Sequence, residues 1–157
     1  MPTLEIITTI AADRQACFDA ARDLDLHVAL AHESGERIVG GRRSGLIELG
    51  ETVTFRARHF GVTHEQEARI TQFDAPSHFH DEMIRGRFLL FRHDHIFEVS
   101  LDGHTTTMID RLEYRAPCGV LGRLAERLFL DRYLTVFLRN RGEGIRRFVE
   151  EGRGRRQ

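Results

Sequence analysis

The chain has 157 residues, a net charge of -1 with histidines neutral, 41% hydrophobic and 30% charged residues. That is about one domain by length, able to bury a core without staples, and its near-zero charge gives no global signal for nucleic acid or an anionic membrane. Two cysteines are too few for a disulfide framework, no apolar run reaches membrane-spanning length, and Met1-Pro-Thr-Leu-Glu5 lacks the basic start and apolar stretch of a signal peptide. A reducing cytoplasm is the expected home.

Thr3 to Ala11 is β-branched and alternating, the first strand. Asp13 is a good N-cap for a helix over Arg14 to Arg22, and Leu24 to His32 reads as a second short helix closed by Ser34-Gly35. Glu36 to Gly40 is a short strand. The Gly-rich stretch from Gly41 to Gly50 fits no phosphate-loop spacing and reads as a mobile loop near a cavity mouth. Then come strands over Glu51–His59, Val62–Phe73, His78–Arg85, Arg87–Leu101 and His104–Ala116, separated by turn signals at Gly61, Asp74-Ala-Pro-Ser77, Gly86 and Asp102-Gly103. From Val120 to Glu150 apolar residues recur at helical spacing, with Gly142 and Gly144 expected to weaken or kink the helix. Nothing marks a domain boundary, so residues 1–152 form one domain and 153–157 a basic, disordered tail.

Residues two apart share a face of a strand, and tight turns fix which residues sit opposite. Across Asp102-Gly103, His95 is expected opposite Asp110, His93 opposite Leu112, Phe91 opposite Tyr114, Phe97 opposite Met108 and Val99 opposite Thr106. A tight turn at Gly86 sets Phe79 against His93, Asp81 against Phe91 and Met83 against Leu89. The Asp74 turn sets Ile70 against Asp81 and Gln72 against Phe79, and the Phe60-Gly61 turn sets Ala57 against His64. One face of the meander is then apolar, with His59, His64, Asp81, His93, His95, Asp110 and Tyr114 set into it. The other carries arginines, glutamates and the pair His78 and His80, expected in solvent. The long last helix is the element expected to cover the apolar face.

The motifs Arg56-Ala-Arg-His-Phe-Gly61, Phe79-His-Asp-Glu-Met83, Gly86-Arg-Phe88, Phe91-Arg-His-Asp-His-Ile-Phe97, Thr107-Met-Ile-Asp-Arg-Leu-Glu-Tyr114 and Pro117-Cys-Gly-Val-Leu-Gly122 are carried on this order of elements. The whole resembles the START/Bet v 1-like (SRPBCC) superfamily, within it the bacterial polyketide cyclase/dehydrase and lipid transport branch. The resemblance implies an α+β helix-grip fold: a seven-stranded curved antiparallel sheet wrapped on a long C-terminal helix, with two short helices between strands one and two. It also implies a hydrophobic cavity between sheet and helix, and it supplies no catalytic motif to carry over.

His95 and Asp110 are the central pair. A carboxylate beside an imidazole fixes its tautomer and raises its pKa. The pair has three readings: two buried polar groups satisfying each other, an anchor for a polar ligand group, or a general acid/base couple. Asp81 is expected to pair with His93. His59, Phe79, Asp81, Phe91, His93, His95, Phe97, Met108, Asp110 and Tyr114 are the candidate ligand-binding residues, His95 and Asp110 the candidate catalytic ones. His93-Asp-His95 could converge on a metal with His59 and Asp110, but His93 has apolar neighbours and His59 stands about three strands away, so no metal and no cofactor is expected. No inner-face Ser or Cys stands beside a His, which removes a nucleophile–His triad. The expected function is binding of a small hydrophobic, lipid-like or polycyclic ligand, with neither nucleic acid nor stable membrane insertion. The alternative is a cyclase or dehydratase using His95 and Asp110 as acid and base.

Overall fold

The computed structural model describes residues 2–154. Its elements are β1 (Thr3–Ile10), α1 (Arg14–Ala21), α2 (Leu24–Leu30), a 3-10 turn (His32–Ser34), β2 (Arg37–Gly41), β3 (Thr52–His59), β4 (Val62–Asp74), β5 (His78–Arg85), β6 (Leu90–Val99), β7 (Thr106–Arg115), α3 (Gly119–Ala125), a π-helical turn (Glu126–Leu130) and α4 (Asp131–Gly154). Of the tail at 153–157, the backbone of 153 and 154 continues α4; residues 155–157 lie outside the described residues. Among the described residues no helix is long and apolar enough to cross a membrane.

The seven strands form one antiparallel sheet in the order β1-β7-β6-β5-β4-β3-β2. β6 and β7 pair in the register expected, His95 opposite Asp110 and Phe97 opposite Met108, and β3 meets β4 as expected, Ala57 opposite His64. Two junctions differ. The β5–β6 connection is not a tight turn at Gly86 but a wider excursion over 86–89, so β6 starts at Leu90 and slides by two residues: Phe79 faces His95 and Asp81 faces His93. Parity survives because the slip is even, while Leu89, expected on the inner face, is left exposed. Along β4 and β5 an irregularity between Ile70 and Gln72 puts Gln72 opposite His80 and Phe73 opposite Phe79, the extra residue of a bulge.

The sheet's inner face is covered by two elements, not by the last helix alone. Phe18 of α1 is fully buried and meets the rings of Phe73, Phe79 and Phe97 edge-on at centroid distances of 5.3, 5.5 and 5.5 Å, a favoured aromatic geometry. α1 is placed by Asp13, whose carboxylate caps Ala16 N at 2.9 Å. α4 covers the rest and runs unbroken through Gly142 and Gly144; the helix irregularity lies earlier, in the π turn. The two glycines serve close approach: a Cβ on Gly142 would lie 2.5 Å from Thr8 Oγ1 of β1, and one on Gly144 2.5 Å from Leu30 Cδ2 of α2. On the outer face His78 and His80, expected in solvent, grip Asp94 Oδ1 from two sides at 2.8 Å each, and His80 is buried. The loop after β2 is tied down: Arg42 pairs with Glu51 at 2.8 Å and Gly45 N donates to Asp25 Oδ2 at 2.9 Å.

Gly142→Val is expected to lower stability by about 1–3 kcal/mol through overpacking, while Gly152→Ala, with open space around it, is neutral or slightly stabilising; thermal unfolding of the two variants reads the contrast. Cys17 is buried and burial pushes its thiol up to about 11, whereas Cys118 is exposed. A thiol reagent near pH 8 is expected to modify one cysteine of the native protein and the second only on unfolding.

Candidate functional site: an enclosed cavity with a buried ionic floor

Between the sheet and the first half of α4 lies a cavity of about 400 Å³. Its walls are mostly apolar: Val53, Ala57, Ala68 and Ile70 from β3 and β4, Leu112 from β7, and Leu134, Phe137 and Leu138 from α4. The size and lining suit a small-molecule pocket. Arg87 and Phe88, from the widened β5–β6 connection, also reach it.

Its floor holds an ionic cluster. His95 on β6 is 2% exposed. Its Nδ1 lies 2.8 Å from Asp110 Oδ1 on β7, and its Nε2 lies 3.1 Å from Asp81 Oδ2 on β5. A neutral imidazole has one N–H, so an imidazole with a carboxylate at each nitrogen is best satisfied as a cation donating both ways. Burial would lower His95, but the hydrogen bonds to Asp110 and Asp81 outweigh it and raise the pKa. Burial would likewise raise Asp110, yet the interactions with His93 and His95 hold its carboxyl far below the usual range. Asp81 is lowered in the same way, with the His95 hydrogen bond foremost against burial. His93 goes the other way: burial and the neighbouring His95 charge lower it. Its Nε2 stands 3.1 Å from Asp110 Oδ1, misaligned for a hydrogen bond, so it is a buried nitrogen without such a partner. Phe79 stacks on His95 at a centroid distance of 4.2 Å.

Arg141 completes the cluster. It lines the cavity, its Nη2 donates to Ala21 O at 2.9 Å, and its buried Nε has no hydrogen-bond partner. Two carboxylates thus face one imidazolium and one guanidinium, a balanced set, as buried charges require. Sequence reading misses Arg141. The signal is there: it falls on the helical face of Leu134, Leu138 and Ile145, a charged residue inside an apolar stripe. Asp81, His93 and His95 each bring a ligand atom within 4.8 Å of the others, so that trio could hold a divalent cation; His59 is not part of it.

Of the candidate residues, His59, Phe79, Asp81, Phe91, His93 and His95 line the cavity. His59 stands at the far end of β3, its Nδ1 hydrogen-bonded to the Tyr133 hydroxyl of α4, and burial lowers its pKa. Four candidates do not line it. Asp110 lies behind the two histidines. Phe97 and Met108 are packed in the core beneath α1 and the later turns of α4. Tyr114 is fully buried, its hydroxyl given to Asp131 at the start of α4. The expected Asp81–His93 pair is replaced by Asp81–His95, a consequence of the two-residue slip between β5 and β6.

No family model matches the chain, and no curated protein matches it significantly in sequence. Solved structures do match. TTHA0849 from Thermus thermophilus superposes with a TM-score of 0.74 at 16% identity, covering 96% of this chain and 99% of that one. A START superfamily protein from Mycobacterium smegmatis gives 0.68 at 13% identity, over 95% and 97%. The Zhui aromatase/cyclase from Streptomyces sp. R1128 gives 0.66 at 12% identity, over 94% and 95%. At these identities the likeness is one of fold, and the fold is the helix-grip architecture of START and Bet v 1-like proteins that the sequence resembles.

Asp110 contributes stability that is present above its unfolded pKa, about 3.9, and that drains away as pH falls through its depressed folded value. Asp110→Asn is expected to cost about 3–5 kcal/mol near neutral pH, since it strips one carboxylate from a buried cation. The gap to wild type should narrow on acidification below about pH 4. Urea unfolding across that range measures both, and a gap independent of pH would refute the ionic account.

Proposed function

We propose that the protein binds a small hydrophobic molecule, lipid-like or polycyclic, in the cavity between the sheet and α4, and holds the molecule's polar group at the floor. The observation that carries this is the pairing of about 400 Å³ of mostly apolar-walled space with a buried ionic cluster at one place in it. The apolar walls supply affinity in proportion to the area they cover. Arg141 Nε, buried and without a partner, supplies a donor to an acceptor on the guest, such as a carbonyl, carboxylate or phenol oxygen. Asp110 acts behind His95, fixing its ring. A fold shared with a START superfamily protein and an aromatase/cyclase supports a ligand-holding role at the coarse level.

A second reading rests on the Asp110–His95–Asp81 chain. An imidazolium at the edge of an apolar cavity is placed to donate a proton from Nε2 to a bound carbonyl or hydroxyl once Asp81 gives way, with Asp110 stabilising the ring through Nδ1. That is the geometry of a general acid for a cyclase or dehydratase. Positioning in an enclosed site would supply the remainder.

Native mass spectrometry of the purified chain, together with titration by an apolar fluorescent probe, separates these readings. Wild type is expected to carry or take up one guest. Ala68→Trp, which fills the space at a wall residue that is buried and small, is expected to abolish uptake, and Arg141→Met to weaken an acceptor-bearing guest roughly tenfold. Uptake unaffected by Ala68→Trp would end the cavity reading. His95→Gln should leave guest binding in place; loss of turnover with it would favour the second reading.

A further inference from the structure

The segment following β7 is built unlike the remainder of the surface. Val120, Leu121, Leu124, Leu128 and Phe129 are all large and apolar, and each is 53–74% exposed. The first four recur at the i, i+1, i+4, i+8 spacing of one helix face. Scattered exposed apolar residues are ordinary, but a contiguous set is not. The charges on the same segment are sorted. Arg115, Arg123, Arg127 and Arg132 are exposed, and none of them forms an ion pair among the described residues. The two acids there are turned inward: Glu126 is 4% exposed and accepts from Ala116 N, and Asp131 accepts from Tyr114. The exposed side chains of 115–132 therefore include arginines and large apolar residues but no acid, Asp131 being half-buried, on a chain whose net charge is -1.

We propose that α3 and the following π turn form a docking surface for an anionic lipid bilayer, lying in the plane of the interface. The leucines and Phe129 enter the headgroup–acyl boundary, and the arginines meet lipid phosphates. An apolar face with Arg beside it and little acid is the composition of an interfacial helix, and guanidinium pairs well with phosphate in water-poor surroundings. The same patch argues against a second copy as its occupant. A two-fold contact sets each patch against its own twin and would bring the arginines of two copies together with no fully exposed acid in the segment to offset them, since Asp131 is half-buried and accepts from Tyr114. The surface adjoins the cavity: Ala116 and Pro117 before α3 and Leu130 at the end of the π turn are among the lining residues. The inference does not require a bound guest, since it rests on the outer surface alone.

The test is co-sedimentation of the full chain with vesicles of phosphatidylcholine containing phosphatidylglycerol, against vesicles of phosphatidylcholine alone, at rising salt. Binding to the anionic vesicles and release by salt are expected. Leu121→Glu with Leu124→Glu should abolish it. Arg123→Gln with Arg127→Gln should weaken it roughly thirtyfold. All four positions are exposed, so circular dichroism is expected to show both variants folded. Equal binding to the two vesicle types, no binding to either, or binding retained by the double-glutamate variant would overturn the proposal. So would sedimentation equilibrium showing a dimer that this variant dissolves, which would assign the face to self-association.

Discussion

One imidazolium held between two carboxylates ties three strands together. Asp81 stands on β5, His95 on β6 and Asp110 on β7, and the ring bridges them at 3.1 and 2.8 Å. Charges this deep are tolerable only when balanced and hydrogen-bonded, so the cluster fixes pairing far more sharply than apolar contacts do. Sliding β6 by two residues against either neighbour would keep every side chain on its face and still strand a charge. The apolar walls tolerate some rearrangement; the floor does not. The polar spot in the cavity is thus also the place where the sheet is least free to move.

That demand explains what can be read from the residues and what cannot. Alternation along β6 and a turn centred on Asp102-Gly103 are enough to place His95 opposite Asp110. The loop is wider than a two-residue hairpin, closed by Ser100 N–H donating to Thr105 O, but it is symmetric about that dipeptide and keeps the register. The turn at Gly86 carries less information. A glycine permits a tight reversal without requiring one, and the chain instead swings wide and drops Phe88 and Arg87 toward the cavity. The bulge near Thr71 has no local signature either. The slip of β6 is a displacement along the strand, so its inner-face residues stay inner while their partners change. The bulge is a one-residue shift, which turns Gln72 out and brings Phe73 inward against Phe18.

The helices are harder to read, for a different reason. Strand pairing can be counted out from a turn, but nothing in a helical stretch tells where it will land on a sheet. In the sequence Phe18 is one more apolar position of a short helix; in the fold it is the hub of an aromatic cluster. Arg141 is one of many arginines in a basic helix, and it lines the same cavity as Asp81. The apolar residues of α3 have the spacing of a covering helix, yet they face outward. A hydrophobic period identifies a face and does not say what the face meets.

α4 meets the sheet in two manners along its length. Up to Arg141 it rests on β1 and β7, where Leu134 and Leu138 share a buried cluster with Ile6, Leu112 and Tyr114, and the hollow lies between that stretch and the other strands. From Gly142 it comes down onto Thr8 and Leu30, and the space closes. The length of the chamber is therefore written in two positions that have no side chain. Shifting that pair one turn later would extend the room for a guest with every wall residue left as it is, whereas one turn earlier would shorten it and replace Leu138 or Arg141 of the wall. Relatives of this architecture could thus diverge in the size of what they admit without altering a single lining group.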